Sequence, residues 1–240
     1  MFKLNVHELS LRLKLAQQAA AESNPAGVIE TRPKIHDPIA DIIKESIKAT
    51  CTIFVKQGKK SWTGSGFHIG NGYIATAAHV VPPEIMNTGA QITITFDGKS
   101  VFPATLIASE PNIDSGIIYN PQISKSIPAV TLADSNKAQI GDIIAVISSP
   151  EGWHDTATVG RISNIHQSMG KSAPTPAWND IIFIDADILE GSSGGMVIGT
   201  DGFVYGSVMG VTGQRADIGI GERSICPSYK ILTLLEQIQK

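Results

Sequence analysis

The sequence predicts an all-β fold, barrels or a sandwich, closed by a C-terminal helix and preceded by an N-terminal extension. Three observations carry this. From Ala49 onward, short runs rich in Val, Ile, Thr and aromatic side chains recur along the chain. Turn formers separate them, among them the hairpin-type pairs Asn71-Gly72, Asp97-Gly98 and Asp201-Gly202. Almost no helical periodicity intervenes, as a parallel α/β sheet would require.

Taken in order, residues 1–48 form the expected extension. Their first part alternates Leu9, Leu11, Leu13 and Leu15 with polar residues, while AQQAAAES favours helix, so its structure stays open. Ser23-Asn24-Pro25-Ala26-Gly27 reads as the start of a linker. Asp37 then caps a short helix with Pro38 in its first turn and Ile39, Ile42, Ile43 and Ile47 on one face. Residues 49–125 make the expected first half, with strands in CTIFVK, SWTGSGFHI, YIATAAHV, QITITF, VFPATLIAS and SGIIYN. Residues 126–240 make the second, with IPAVTL, DIIAVISS, DTATVGRISNI, IIFIDADI, GMVIG and FVYGSVMGV. A final amphipathic helix around 228–239 presents Ile231, Leu234, Leu235 and Ile238. No sequence repeat relates the halves.

Bulk properties remove several function classes. Nineteen basic against 22 acidic residues leave a formal charge of −3, so no general attraction to nucleic acid or anionic lipid is expected. Met1 to Leu15 lacks an unbroken apolar stretch, and no later segment supplies eighteen apolar residues, so the reading is a cytoplasmic protein without a membrane span. Cys51 and Cys226 are expected to be reduced and buried rather than a disulfide framework. The six histidines are dispersed and neither cysteine sits in a CxxC, so neither metal nor cofactor is expected. Protein or peptide substrates are the expected partners, with residues 1–48 available for a partner or oligomer contact.

Acyl transfer needs a nucleophile, a base, an acid that orients the base, and donors for the developing oxyanion. Gly191-Ser192-Ser193-Gly194-Gly195 places a serine in a glycine-rich turn between strands, where small neighbours allow close backbone approach. Ser193 is the candidate nucleophile, and the N–H groups of Gly191 and Ser193 the candidate oxyanion donors, as in the serine-protease template. His79 ends Tyr73-Ile-Ala-Thr-Ala-Ala-His and is the candidate base; Asp114, just before the apolar Gly116-Ile-Ile, is the candidate acid that fixes its tautomer.

Five ordered blocks now resemble a known group. They are GSGFHIGNGYIATAAHVV, NIDSGII, ISSPEGWHDTATVGRISNI, DADILEGSSGGMVIGTDGFVYGSV and IGIGERSICPS. The match, from about Ser65 to Lys240, is to trypsin-like serine proteases and within them to the HtrA (Deg) protease domain. The resemblance implies two six-stranded antiparallel barrels with the triad in the cleft between them, hydrolysing peptide bonds without a cofactor. Two departures stand out: Ser192 replaces the usual Asp or Asn before the nucleophile, so activation by pairing a new N-terminus with that Asp is not expected, and Met196 replaces Pro or a small residue. No PDZ domain is expected after residue 240. Asp187, six residues before Ser193, holds the place where enzymes that cut after Lys or Arg keep a pocket carboxylate. Unpaired, Asp187 would select Lys or Arg before the scissile bond. Paired with Arg223, which aligns with the pocket's far wall, it would be neutralised and leave a pocket for small or apolar side chains, the alternative that the desolvation cost of an isolated buried carboxylate favours. With Met209, these residues make up the expected substrate pocket.

Each motif alone has a duller reading: a core histidine, a turn aspartate, a flexible hairpin. GSSGG also fits the nucleophile elbow of α/β-hydrolases, but those enzymes place their histidine after the serine, and no histidine follows His166. A triad-bearing but inactive relative that holds peptides is the competing reading from the binding class.

Overall fold

Apolar alternation along the strands requires each to present one face to a core, and a closed barrel satisfies that without leaving sheet edges. A computed structural model describes Lys14 and residues 37–168, 179–215 and 220–239. Within it a helix, α1 (Pro38–Ser46), leads into a first barrel. Its strands are β1 (Thr50–Gln57), β2 (Lys60–Gly70), β3 (Tyr73–Thr76), β4 (Gln91–Thr95), β5 (Phe102–Glu110) and β6 (Ser115–Tyr119). The second barrel comprises β7 (Ile143–Ser148), β8 (Thr156–Gln167), β9 (Ile181–Ile184), β10 (Met196–Gly199), β11 (Val204–Arg215) and β12 (Ile220–Pro227), followed by helix α2 (Ser228–Ile238). Both barrels are closed, in the orders β1-β2-β3-β6-β5-β4 and β7-β8-β9-β12-β11-β10. The winding is therefore the same in both, although their sequences show no repeat.

Each barrel has its own core. Ile53, Val55, Ile74, Ile92, Ile94 and Ile118 fill the first, and Ile144, Val146, Ile162, Ile182, Val197 and Val208 the second. A third cluster, with Phe67, Ile117, Ile147, Met196 and Ile198, joins the two. That explains why IIAVIS runs apolar without alternation: Ile144 and Val146 enter the barrel while Ala145 and Ile147 enter the shared cluster.

The predicted helix at Asp37 forms, with the Asp37 carboxylate accepting from Ile39 N–H at 3.1 Å and Pro38 at its first position. Its Ile39 is buried in the shared cluster, where Ile42, Ile43 and Ile47 also pack. Ile231 and Leu234 of α2 are buried in the same cluster. Asn71 and Gly72 both take positive φ, 53° and 86°, as a tight hairpin turn between β2 and β3 demands. Cys51 and Cys226 are free thiols, both buried, and burial pushes the Cys226 thiol up to about 12. The alternating leucines and the linker fall in residues 1–36, where only Lys14 belongs to the described residues.

Two expectations about strands are corrected. IPAVTL is not a barrel strand: it links the barrels, held by Val130 N–H to His68 C=O at 3.0 Å and by Val204 N–H to Thr131 C=O at 2.9 Å. The sixth strand of the second barrel is instead β12, whose polar Glu222-Arg223-Ser224 hides a segment paired on both sides, with β9 and β11.

Candidate active site

The three candidate catalytic residues come from different places in the fold. β3 ends at Thr76, so His79 stands on the turn beyond it, where Val80 N–H bonds Ala77 C=O at 3.2 Å. Asp114 sits in the turn between β5 and β6 with φ of 49°, a left-handed conformation that a non-glycine residue adopts at a cost. The bonds it makes account for holding it there. Its carboxylate accepts from the His79 backbone N–H at 3.0 Å and from the His79 ring Nδ1 at 2.9 and 3.0 Å. Asp114 is 2% exposed and the His79 side chain 46%, so the carboxylate is sealed in while the imidazole remains accessible. With Nδ1–H committed to a carboxylate, Nε2 carries the free lone pair. Burial disfavours the charged ring, but the Asp114 carboxylate, by hydrogen bond and by charge, outweighs it and raises the His79 pKa above the ordinary histidine value.

Ser193 approaches from the second barrel, on the turn between Gly191 and β10. Close packing brings it in: a Cβ on Gly194 would overlap Ser65 C=O and Thr76 Oγ1 and lie 2.8 Å from Ala77 N, two residues before His79. Only glycine fits there, at φ of 82°. Ser193 C=O accepts from Ser65 N–H at 2.8 Å, which ties the turn to β2. Ser192 and Ser193 are turned opposite ways. Ser192 is buried, its Oγ accepting from Leu189 N–H at 3.1 Å and from Ser148 Oγ at 3.2 Å, whereas Ser193 borders an open cavity. Among the hydrogen bonds between described residues, none joins the Ser193 hydroxyl to His79, an arm often loose before substrate binds.

The amides beside Ser193 are held from behind. Glu190 C=O accepts from Glu151 N–H at 3.0 Å and Ser192 C=O from Gly195 N–H at 2.8 Å. In a planar trans peptide the N–H points away from the C=O, so Gly191 N–H and Ser193 N–H face the other side.

Beside Ser193 lies a cavity of about 380 Å³ lined by Ile188, Leu189, Glu190, Ser193, Val208, Gly210 and Val211. A Cβ on Gly210 would meet nothing within 4 Å, so the space continues past it. Asp187, Met209 and Arg223, expected from the sequence, are not among the residues lining this cavity. Asp187 pairs with Arg223 at 2.8 Å, but with its side chain 73% exposed it stands on the surface. Met209 points into the core and is 2% exposed, because alternation along β11 sends Val208 and Met209 to opposite faces. Ile188, Val208 and Val211, the apolar walls, carried no sequence signal beyond lying in apolar runs.

A family model described as a trypsin-like peptidase domain matches residues 64–206. A probable periplasmic serine endoprotease DegP-like from Chlamydia pneumoniae is 34% identical over 184 residues, 76% of this chain and 35% of that protein. Serine protease Rv3671c of Mycobacterium tuberculosis is 30% identical over 164 residues, 67% of this chain and 39% of that protein. The chain thus spans little more than a third of the length of these relatives. Among solved structures, HtrA-type protease AlgW with tripeptide superposes with a TM-score of 0.70 at 25% identity, covering 83% of this chain and 63% of that one. Rv3671c in its inactive form gives 0.67 at 23% identity, covering 89% and 98%, a likeness of fold. DegP-like relatives from Chlamydia pneumoniae and Marinomonas are named periplasmic, which overturns the cytoplasmic expectation. That expectation rested on the polar character of residues 1–15, and a folded double barrel carries no mark of its compartment.

Proposed function

The chain belongs to the trypsin-like peptidase domain family, and from that premise we propose that it is a serine endopeptidase acting through Ser193, His79 and Asp114. Ser193 Oγ attacks the scissile carbonyl carbon while His79 Nε2 takes its proton. The tetrahedral oxyanion is held by Gly191 N–H and Ser193 N–H. Collapse breaks the C–N bond, and His79 returns the proton to the leaving amine, which leaves an acyl ester on Ser193. Water then repeats the cycle and releases the acid. The Asp114 carboxylate holds the tautomer and stabilises the imidazolium. The observation that carries this is the carboxylate of Asp114 gripping both backbone and ring of His79. The periplasmic names of the DegP-like relatives support action outside the cytoplasm.

A fluorophosphonate probe tests the reading: labelling of the wild-type protein that disappears in Ser193→Ala is the expected result. No labelling under any condition would favour a peptide-binding protein without catalysis.

Two further outcomes are expected. Only neutral His79 can accept the serine proton, and its pKa is raised, so kcat/KM should climb with pH through an apparent pKa above about 6.5. A profile that is flat between about pH 5 and 8 would remove histidine as the base. The pocket beside Ser193 is walled by Ile188, Val208 and Val211, while Asp187 is outside it and paired. Peptides with Val or Leu before the scissile bond should therefore be cleaved roughly tenfold or more better than those with Lys or Arg, in wild type and in Arg223→Ala alike. A basic preference in both proteins would count against this pocket.

A further inference from the structure

We propose that Ser65 is a positioning residue for the oxyanion amides, acting from the first barrel on a turn of the second. The proposal rests on the peptidase reading above.

Ser65 is fully buried in β2, and its hydroxyl and its N–H both reach across the joint between the barrels. Its Oγ donates to Gly191 C=O at 2.7 Å and accepts from Ser149 N–H at 2.9 Å. Its N–H donates to Ser193 C=O at 2.8 Å, and its C=O accepts from Thr76 Oγ1 at 2.7 Å. Gly191, at φ of 87°, has no side chain to fix it and is otherwise the freest point of the turn. Two peptide planes meet at its Cα. The plane before it carries the oxyanion N–H and is pinned through Glu190 C=O by Glu151 N–H; the plane after it is pinned through Gly191 C=O by Ser65.

The segment that supplies Glu151 depends on the same strand pair. Residues 149–155 join β7 to β8 and include Glu151 and Asp155 at φ of 50° and 62°, conformations that need outside support. Ser149 N–H bonds Ser65 Oγ at one end, and His154 Nδ1 bonds Thr52 Oγ1 at 3.1 Å at the other. Thr52 and Ser65 face each other in the register of β1 and β2. One pair of cross-strand hydroxyls thus grips both ends of the segment whose middle holds Glu190 C=O. The space is filled as well, since a Cβ on Gly191 would come 2.7 Å from Glu151 N.

The chemical consequence follows from when the oxyanion exists. Donors aimed in advance act on the tetrahedral state and not on the bound substrate, so loosening them lowers kcat and leaves KM in place. Ser65→Ala removes the hydroxyl that fixes Gly191 and leaves Ser149 N–H without its acceptor.

The experiment compares wild type, Ser65→Ala, Thr52→Val and Ser193→Ala on a peptide ester and with a peptide boronic acid, whose adduct on serine is tetrahedral. Ser65→Ala is expected to lose roughly 10- to 100-fold in kcat with KM within about twofold, and to bind the boronate weaker by the same factor. Thr52→Val should move both quantities in the same direction by several-fold. Should Ser65→Ala fail to fold by circular dichroism, Thr52→Val decides alone. Wild-type kcat in the folded variants, or a fall in kcat with unchanged boronate affinity, overturns the role of Ser65 while leaving the peptidase reading intact. Absence of Ser193-dependent hydrolysis in the wild type overturns both.

Discussion

Ser193→Ala is expected to abolish peptide hydrolysis, with kcat falling by about 10⁶-fold, and His79→Ala to fall by nearly as much. The two losses should not add, because each residue works only through the other: without the base the hydroxyl is a poor nucleophile, and without the hydroxyl the base has nothing to deprotonate. Neither change should disturb the fold. Ser193 borders a cavity and the His79 side chain is half exposed, so no packed core is opened. Steady-state kinetics on a short peptide, with circular dichroism to confirm folding, checks the pair. Ser192→Ala is the informative control, since Ser192 is buried and bonded to Leu189 and Ser148 and should cost tenfold or less. A dead Ser192→Ala beside an active Ser193→Ala would reverse the assignment.

Asp114→Asn is expected to lower kcat by about 10⁴-fold without loss of structure. The carboxylate has two jobs that an amide cannot do together. Oδ1 accepts from the His79 backbone N–H, and both oxygens accept from Nδ1. An asparagine that keeps its oxygen on the backbone N–H turns its NH₂ toward Nδ1, which then becomes the acceptor and sends the ring proton to Nε2. That tautomer points an N–H at Ser193 and cannot take its proton. Nitrogen NMR of labelled histidine reads the tautomer directly, and an Asp114→Asn protein within tenfold of wild type, or with Nδ1 still protonated, would argue against this role.

How far the sequence speaks depends on whether a residue acts through its side chain or its backbone. The strands of the first barrel could be read because Ile53, Val55, Ile92 and Ile94 alternate or cluster as core residues must. β12 could not, because its pairing with β9 and β11 is made by backbone bonds that leave Glu222-Arg223-Ser224 looking like a loop. The reverse error at IPAVTL has the same root: an apolar, β-branched segment whose backbone groups make single bonds to His68 of β2 and Val204 of β11 and join neither barrel as a strand. His79, Asp114 and Ser193 stood out because chemistry restricts which residue types can serve. Ser65 did not, although a serine between Gly64 and Gly66 in an apolar strand was a signal of close backbone approach. The pairing of Asp187 with Arg223 was legible because opposite charges at facing positions attract, whereas nothing in the sequence marked Val208 and Val211 as lining the cavity.

The two helices are exchanged between the barrels: α1, made before the first, packs on β7 of the second, and α2, made after the second, packs on β5 and β6 of the first as well as on its own barrel. During synthesis the ribosome therefore releases α1 and the entire first barrel while the docking site for α1 is still unmade. At that stage the nascent chain holds the proposed base and acid without the proposed nucleophile, for Ser193 emerges later and meets His79 only when the barrels join. The proposed peptidase would thus be born inert and would acquire its cutting power in the same event that completes its fold, so that a half-made copy poses no hazard to the chains being made around it.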